Sequence, residues 1–222
     1  FQANQFQVMG YDKTSTDLTK QLEEEGFKIT YEDSKESLPT ILAEEKKHCL
    51  VVYTPAIPKD SIQLNFFQEA NYLLQKRSQV CGVLTANYFT IAVAGTHGKT
   101  TTSSLIAHIL RYANKNSMAF LGGITQNYQT NLLLNDVDSN EEPIVVVEAD
   151  EYDRSFLTLS PNITIITSTD PDHLDIYDSP EIFEQGFSDF VDKIDSKGTL
   201  IYHENISTSI SQKREKLDKI IY

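Results

Sequence analysis

One stretch does most to limit what this chain can fold into: residues 90–110, TIAVAGTHGKTTTSSLIAHIL. It opens as a short apolar run of β-branched and small residues, the pattern of a strand buried on both faces. The run breaks at Gly95 and Gly98. It resumes with Leu105, Ile106, Ile109 and Leu110 on a helical face. Strand, glycine loop, Lys99-Thr100 and helix follow one another as in a phosphate-binding loop. Glycines let backbone amides come close to an anion, and the helix start adds partial positive charge. Lys99 can reach terminal phosphates, and the Thr100 hydroxyl is placed to ligate Mg²⁺. The general Walker pattern has an earlier glycine where this chain has Val93, so Gly95 to Thr102 is a shorter version. The alternative is an ordinary glycine turn before a helix.

Such a loop needs a parallel sheet around it, and the chain supplies candidate strands. Residues 7–11, 27–31, 50–53 and 72–76 read as short strands, and 16–26 and 65–70 as helices, with Leu18 and Leu22 forming the face of the first helix. Beyond the loop, residues 117–121, 143–148, 162–168 and 198–202 read as strands, and a helix starts at Ser179 or Pro180 and runs past Phe190. Residues 127–140 are polar and turn-rich, a surface loop. Residues 212–217 read as a charged helical or frayed segment, and 220–222 as a strand cut off in mid-course. Alternating strands and helices predict an α/β fold of two consecutive Rossmann-like parallel-sheet units, residues 1–88 and 89–222.

A chain of 222 residues with 40% hydrophobic and 23% charged content has enough apolar material for such cores and no run long enough to span a bilayer. No basic-then-apolar leader opens it. Cys49 and Cys81 stand apart in apolar contexts, as reduced cytoplasmic thiols do. A net charge of −13 argues against a nucleic-acid partner, but not against a nucleotide held in a local cradle.

Strand C-termini of an open parallel sheet converge on one crevice. Three predicted strands end there in polar groups: the loop itself, Glu148 with Asp150 and Glu151, and Asp172, His173 and Asp175. A carboxylate one strand away from Lys99-Thr100 suits a second magnesium contact; the alternative for Glu148 to Asp153 is a solvated acidic loop. A lone histidine is more often structural than a ligand, and imidazole suits Mg²⁺ less well than oxygen does, so His173 is a metal candidate only by its position. Asp12, at a strand end, is either a ribose contact or a turn residue.

Three segments together, Gly95 to Thr102, Glu148 to Asp153 and Asp170 to Asp175, resemble the Mur ligases in order and spacing, and residues 10–13, 52–57, 122–125 and 130–132 resemble further parts of the same family. The resemblance implies an ATP-dependent carbon–nitrogen ligase of peptidoglycan precursor synthesis. It would join L-alanine to the lactyl carboxylate of UDP-N-acetylmuramate through an acyl phosphate, or attach a peptide as the murein-recycling relatives do. A non-catalytic nucleotide-binding fragment is the rival from another class. The implied cofactors are ATP and Mg²⁺, and the implied partners are these small molecules, with neither nucleic acid nor membrane; an exposed edge near Ile220 and Ile221 would favour a homodimer.

By the same resemblance, Lys99 and the amides of Gly95, Thr96, His97, Gly98, Thr100 and Thr101 hold the β- and γ-phosphates. Thr100 and Glu148 hold one Mg²⁺, and His173 holds a second. His97 faces the substrate, and Asp12, Thr54 and Arg77 are weaker candidates for the UDP-sugar side. Several relatives carry a carbamylated lysine downstream of the histidine; Ser188 falls there, so none is expected. The family's N-terminal glycine-rich turn, its later Gly-x-His-Asn motif and its amino-acid-binding domain are not found in these residues. The chain is therefore expected to be part of a longer ligase, with a truncated second unit, and silent in ligation by itself.

Overall fold

The computed structural model describes residues 6–40, 42, 46–152, 154–170, 177 and 179–222. The chain forms two compact units, Phe1–Arg77 and Ser78–Tyr222.

In the first unit β1 (Met9–Tyr11) pairs in parallel with β2 (Lys28–Thr30) across α1 (Asp17–Glu24). In the same way β3 (Leu50–Tyr53) pairs with β4 (Leu73–Lys76) across α2 (Ile62–Glu69). Each is a strand–helix–strand crossover, the reason both pairs are parallel. Thr16 starts α1 with a capping box: its hydroxyl accepts from the Thr19 amide at 3.2 Å, and Thr19 Oγ1 accepts from the Thr16 amide at 2.8 Å. The box holds Thr19 inward, and Leu18, turned about 100° away, is 54% exposed instead of lying on the buried face. The second helix starts at Ile62, ahead of the predicted Asn65: Ser61 caps it locally, its hydroxyl accepting from the Leu64 amide at 3.3 Å, and a distant residue adds to that cap. The Asp33 carboxylate accepts from Ser61 Oγ at 3.1 Å, from the Ile62 amide at 3.1 Å and from the Gln63 amide at 2.9 Å.

The second unit begins at the second residue of α3 (Arg77–Asn87), a helix no periodicity announced. Thr158 Oγ1 donates to the Ser78 carbonyl at 2.8 Å, and the Ser160 amide donates to Thr85 Oγ1 at 3.1 Å. A Cβ on Gly82 would come within 2.5 Å of the Thr158 carbonyl. This close packing draws the helix into the second unit and places the division after Arg77, where the sequence suggested residue 88.

The unit is built on a seven-stranded sheet of order β11-β10-β9-β5-β8-β6-β7. Its strands are β5 (Thr90–Ala94), β6 (Ser117–Phe120), β7 (Leu132–Leu133), β8 (Ile144–Glu148), β9 (Ile163–Ile166), β10 (Thr199–Tyr202) and β11 (Asp218–Ile221). All pairs are parallel except β6 with β7. β7 lies inside the stretch read as surface loop; two residues are too few for an alternating pattern to show. Helices cover both faces. On one, α4 (Lys99–Tyr112) packs over Ala119, Leu121, Leu133 and Val146. On the other, α5 (Pro180–Val191) brings Phe183, Phe187 and Phe190 onto Val147, Ile166 and Leu200, with Phe156 and Tyr177 between them. Small residues let α4 lie close to the sheet: Ser103 and Ala107 are buried, whereas Leu105 and Ile109, read as part of its inner face, are 56% and 62% exposed.

At the far edge, α6 (Thr208–Ser211) precedes β11, which pairs with β10 over its whole length from Thr199↔Asp218 to Tyr202↔Ile221. Residues 212–217 form no helix, because Leu217 is drawn into the core. Ile220 and Ile221 are 53% and 60% exposed on the edge strand. No helix among the described residues is long and apolar enough to cross a membrane.

Candidate functional site

The central strand β5 lies between β8 and β9, with Val93 opposite Glu148 and Ala94 opposite Ile166. That register brings three chain segments together at the strand C-termini: the loop 95–98, Glu148 with the turn that follows, and Thr167-Ser168. The chain leaves β5 toward β6 on one side while β9 lies on the other, so the crevice sits where the connections diverge.

The loop is braced from β9. Thr167 Oγ1 donates to the Ala94 carbonyl at 3.1 Å and also bonds the His97 carbonyl. The Thr96 amide donates to the Ser168 carbonyl at 3.1 Å, and the His97 amide to Ser168 Oγ at 2.9 Å. Thr96 Oγ1 reaches the Asp170 carbonyl at 2.8 Å. Gly95 permits this approach: its φ is +132°, and a Cβ would stand 2.2 Å from Thr167 Oγ1. The amides of Thr96 and His97 are thus engaged within the protein. Gly98, at φ +81°, is the N-cap of α4 and offers no side chain to it. The first-turn amides of α4 and its positive dipole end are left to attract an anion, the arrangement phosphate-binding loops use.

Lys99 Nζ donates to the Gly95 carbonyl at 2.7 Å and to Glu151 Oε1 at 2.9 Å. Thr100 Oγ1 donates to Glu148 Oε1 at 2.9 Å, and the other oxygen of that carboxylate accepts from the Gly122 amide at 2.8 Å. Gly122 makes room for the group: a Cβ there would lie 2.3 Å from Glu148 Oε1. A hydroxyl and a carboxylate in contact are a hard-oxygen donor set of the kind Mg²⁺ takes, so these residues fit that ion. Among the described residues no three His, Cys, Asp or Glu side chains gather into a metal site.

The predicted candidates are distributed as follows. Gly95, Thr96, His97, Gly98, Lys99, Thr100, Thr101 and Glu148 meet at this one end of the sheet. His173 lies outside the described residues. In the first unit Asp12 follows β1 and closes a turn, accepting from the Thr14 amide at 2.9 Å. Thr54 follows β3, its carbonyl accepting from the Ile57 amide at 3.2 Å, and Arg77 follows β4 as the first residue of α3. Sequence reasoning passed over four contributors: Glu151 as the partner of Lys99, Gly122 as the seat of Glu148, and Thr167 and Ser168 as the brace. The acidic run was visible, but which of its members turns inward was not.

Comparison with known proteins sets this geometry in context. The family model of the Mur ligase middle domain matches residues 93–222. Over 210 residues the chain is 50% identical to a UDP-N-acetylmuramate–L-alanine ligase of Cytophaga hutchinsonii, an alignment covering 95% of this chain and 45% of that protein. It is 45% identical over 201 residues to the ligase of the same name from Porphyromonas gingivalis, covering 90% and 43%. The solved UDP-N-acetylmuramate–alanine ligase of Thermotoga maritima superposes with a TM-score of 0.78 at 25% identity, over 99% of this chain and 48% of the other. A UDP-N-acetylmuramate:L-alanyl-gamma-D-glutamyl-meso-diaminopimelate ligase from Neisseria meningitides shares the fold at 23% identity, with a TM-score of 0.78 over 99% of this chain and 70% of that one. The chain spans less than half the length of the curated relatives it matches.

Proposed function

The chain belongs to the Mur ligase family, and from that premise we propose that it carries the nucleotide-binding part of an ATP-dependent ligase joining L-alanine to the lactyl carboxylate of UDP-N-acetylmuramate. The observation that carries the reading is the contact of Thr100 with Glu148, 2.9 Å apart, beside Lys99 at the uncapped start of α4. The names of the relatives at 45–50% identity favour L-alanine as the amine over a peptide.

In the proposed reaction an oxygen of the lactyl carboxylate attacks the γ-phosphorus of ATP. ADP leaves, and the acid becomes an acyl phosphate. The L-alanine amine then attacks the acyl carbon, phosphate departs with the C–O bond pair, the nitrogen gives up one proton to the departing phosphate or to water, and an amide remains. The first step brings two anions together, whose repulsion in a site of low dielectric is severe. Lys99 and the first amides of α4 offset it by binding the β- and γ-phosphates where charge develops. Mg²⁺, when bound by Thr100 and Glu148, with His173 for a second ion, would supply further positive charge to offset that repulsion. His97, exposed at the tip of the loop, faces the substrate in this reading. Asp12, Thr54 and Arg77, each just after a parallel strand, are the proposed contacts to the UDP-sugar.

The test is Lys99→Ala in the complete ligase. Removing a charge from the transferring phosphoryl group costs on the order of a hundredfold or more in turnover. ATP-dependent amide formation within a few-fold of the parent would end the phosphate-loop assignment.

A further inference from the structure

Glu151 has no role in the reaction above, yet among the described residues it is the one buried carboxylate. It is 1% exposed. Its Oε1 accepts from Lys99 Nζ at 2.9 Å, and its Oε2 is buried with no partner among the described residues. Its backbone is fixed as well. The Glu151 carbonyl accepts from the Arg154 amide at 3.0 Å and from the Tyr177 hydroxyl. Tyr177 is itself buried and stacks edge-on against Phe183 of α5 at 4.9 Å. The aromatic core on one face of the sheet is therefore connected, through Tyr177 and Glu151, to the phosphate-loop lysine. A buried ion pair with one unsatisfied oxygen is a poor device for stability, since desolvation offsets much of the attraction. Its place beside the loop calls for a different account.

We propose that Glu151 is a positioning residue: it sets the side-chain conformation of Lys99 so that the ammonium presents its remaining proton to a nucleotide phosphate. The geometry divides the three Nζ protons clearly. One goes to the Gly95 carbonyl, one to Glu151, and the third is left for the ligand. A free lysine side chain loses considerable rotamer freedom when it binds phosphate; one already held by Glu151 has lost it on folding. The proposal rests on the nucleotide reading of the loop.

The test is a double-mutant cycle in the complete ligase, reading MgADP affinity by calorimetric titration together with the ATP KM and kcat. Glu151→Ala is expected to weaken MgADP binding roughly three- to tenfold, the worth of ordering one long side chain. Glu151→Gln, which keeps the acceptor and the shape, is expected to recover most of that loss and also serves if the alanine variant does not fold. In a Lys99→Ala background, Glu151→Ala is expected to change affinity no further. Equal effects of Glu151→Ala with and without Lys99 would overturn the proposal, because a merely structural residue behaves that way. Tighter nucleotide binding by either Glu151 variant would overturn it too, showing a carboxylate that competes with phosphate for the lysine. Unchanged MgADP affinity in the Lys99→Ala single variant would instead remove the nucleotide reading itself, and the proposal with it.

Discussion

Replacing Gly122 by alanine isolates the carboxylate of Glu148 without touching it. The new Cβ would lie 2.3 Å from Oε1, 2.6 Å from Cδ and 2.7 Å from Oε2 of that side chain, closer than non-bonded carbon and oxygen can approach. What stands in the way is the tip of a flexible side chain, not backbone, so the carboxylate gives way and the sheet does not. Gly122 itself is exposed. The thermal midpoint should therefore fall by only a few degrees, as about 1 kcal/mol does in a unit of this size. The displaced carboxylate, however, loses both its bond from the Gly122 amide at 2.8 Å and its contact with Thr100 at 2.9 Å, and with them the seat proposed for Mg²⁺. A contact to a charged group contributes about 1.5–3 kcal/mol, which is roughly ten- to 150-fold in affinity. The measurement is ATP titration of the complete ligase with Mg²⁺ and with a chelator. The Mg²⁺-dependent gain in affinity should shrink by that factor, while binding without Mg²⁺ should hardly change, since the loop and Lys99 are untouched. A Gly122→Ala variant with the full Mg²⁺-dependent gain would refute the reasoning, because the carboxylate would then be dispensable to the ion or free to reach it from elsewhere.

Glu148→Gln should likewise weaken Mg·ATP binding, whereas His173→Ala should mainly slow acyl-phosphate formation at saturating ATP; if both variants keep full turnover and only melt earlier, the two residues are structural. Thr167→Val removes the hydroxyl that joins the Ala94 and His97 carbonyls with little change of shape. Losing neutral hydrogen bonds of about 0.5–1.5 kcal/mol each should raise the ATP KM several-fold, and an unchanged KM would show that the brace does not shape the loop. Asp33→Ala strips the long-range cap from α2 and should destabilise the first unit by about 1–2 kcal/mol, seen as an earlier urea midpoint; a loss below about 0.5 kcal/mol would place it among ordinary surface changes.

What the residues determine by themselves is local. The run Thr90 to Ala94 is apolar without alternation, and such a run has few places to go except the middle of a parallel sheet. Gly95 and Gly98 adopt positive φ, which their neighbours could not do cheaply. Thr16 and Ser179 announce helix starts through their own hydroxyls, three residues from the amides they cap. Glu148 ends an apolar strand, so its place at the crevice follows from the direction of the chain. Each of these features is decided by groups a few residues apart, and for that reason each can be read in order along the chain.

Tertiary structure decided what depends on distant partners. Asp33 caps a helix that starts 29 residues later. Thr167 and Ser168 hold a loop that lies some 70 residues before them in the chain. Of the acidic residues after β8, Asp150 accepts a local turn bond from Tyr152 in solvent, while Glu151, one position on, turns into the protein to meet Lys99. Nothing in the order of the two residues says which way each will face. That is settled by the parallel register of β5 with β8, which brings Lys99 within reach, and by the aromatic core that holds the Glu151 carbonyl through Tyr177. Side-chain burial is a property of the packed sheet and its helices, because the cost of removing a charge from water is offset only by a partner that the fold delivers.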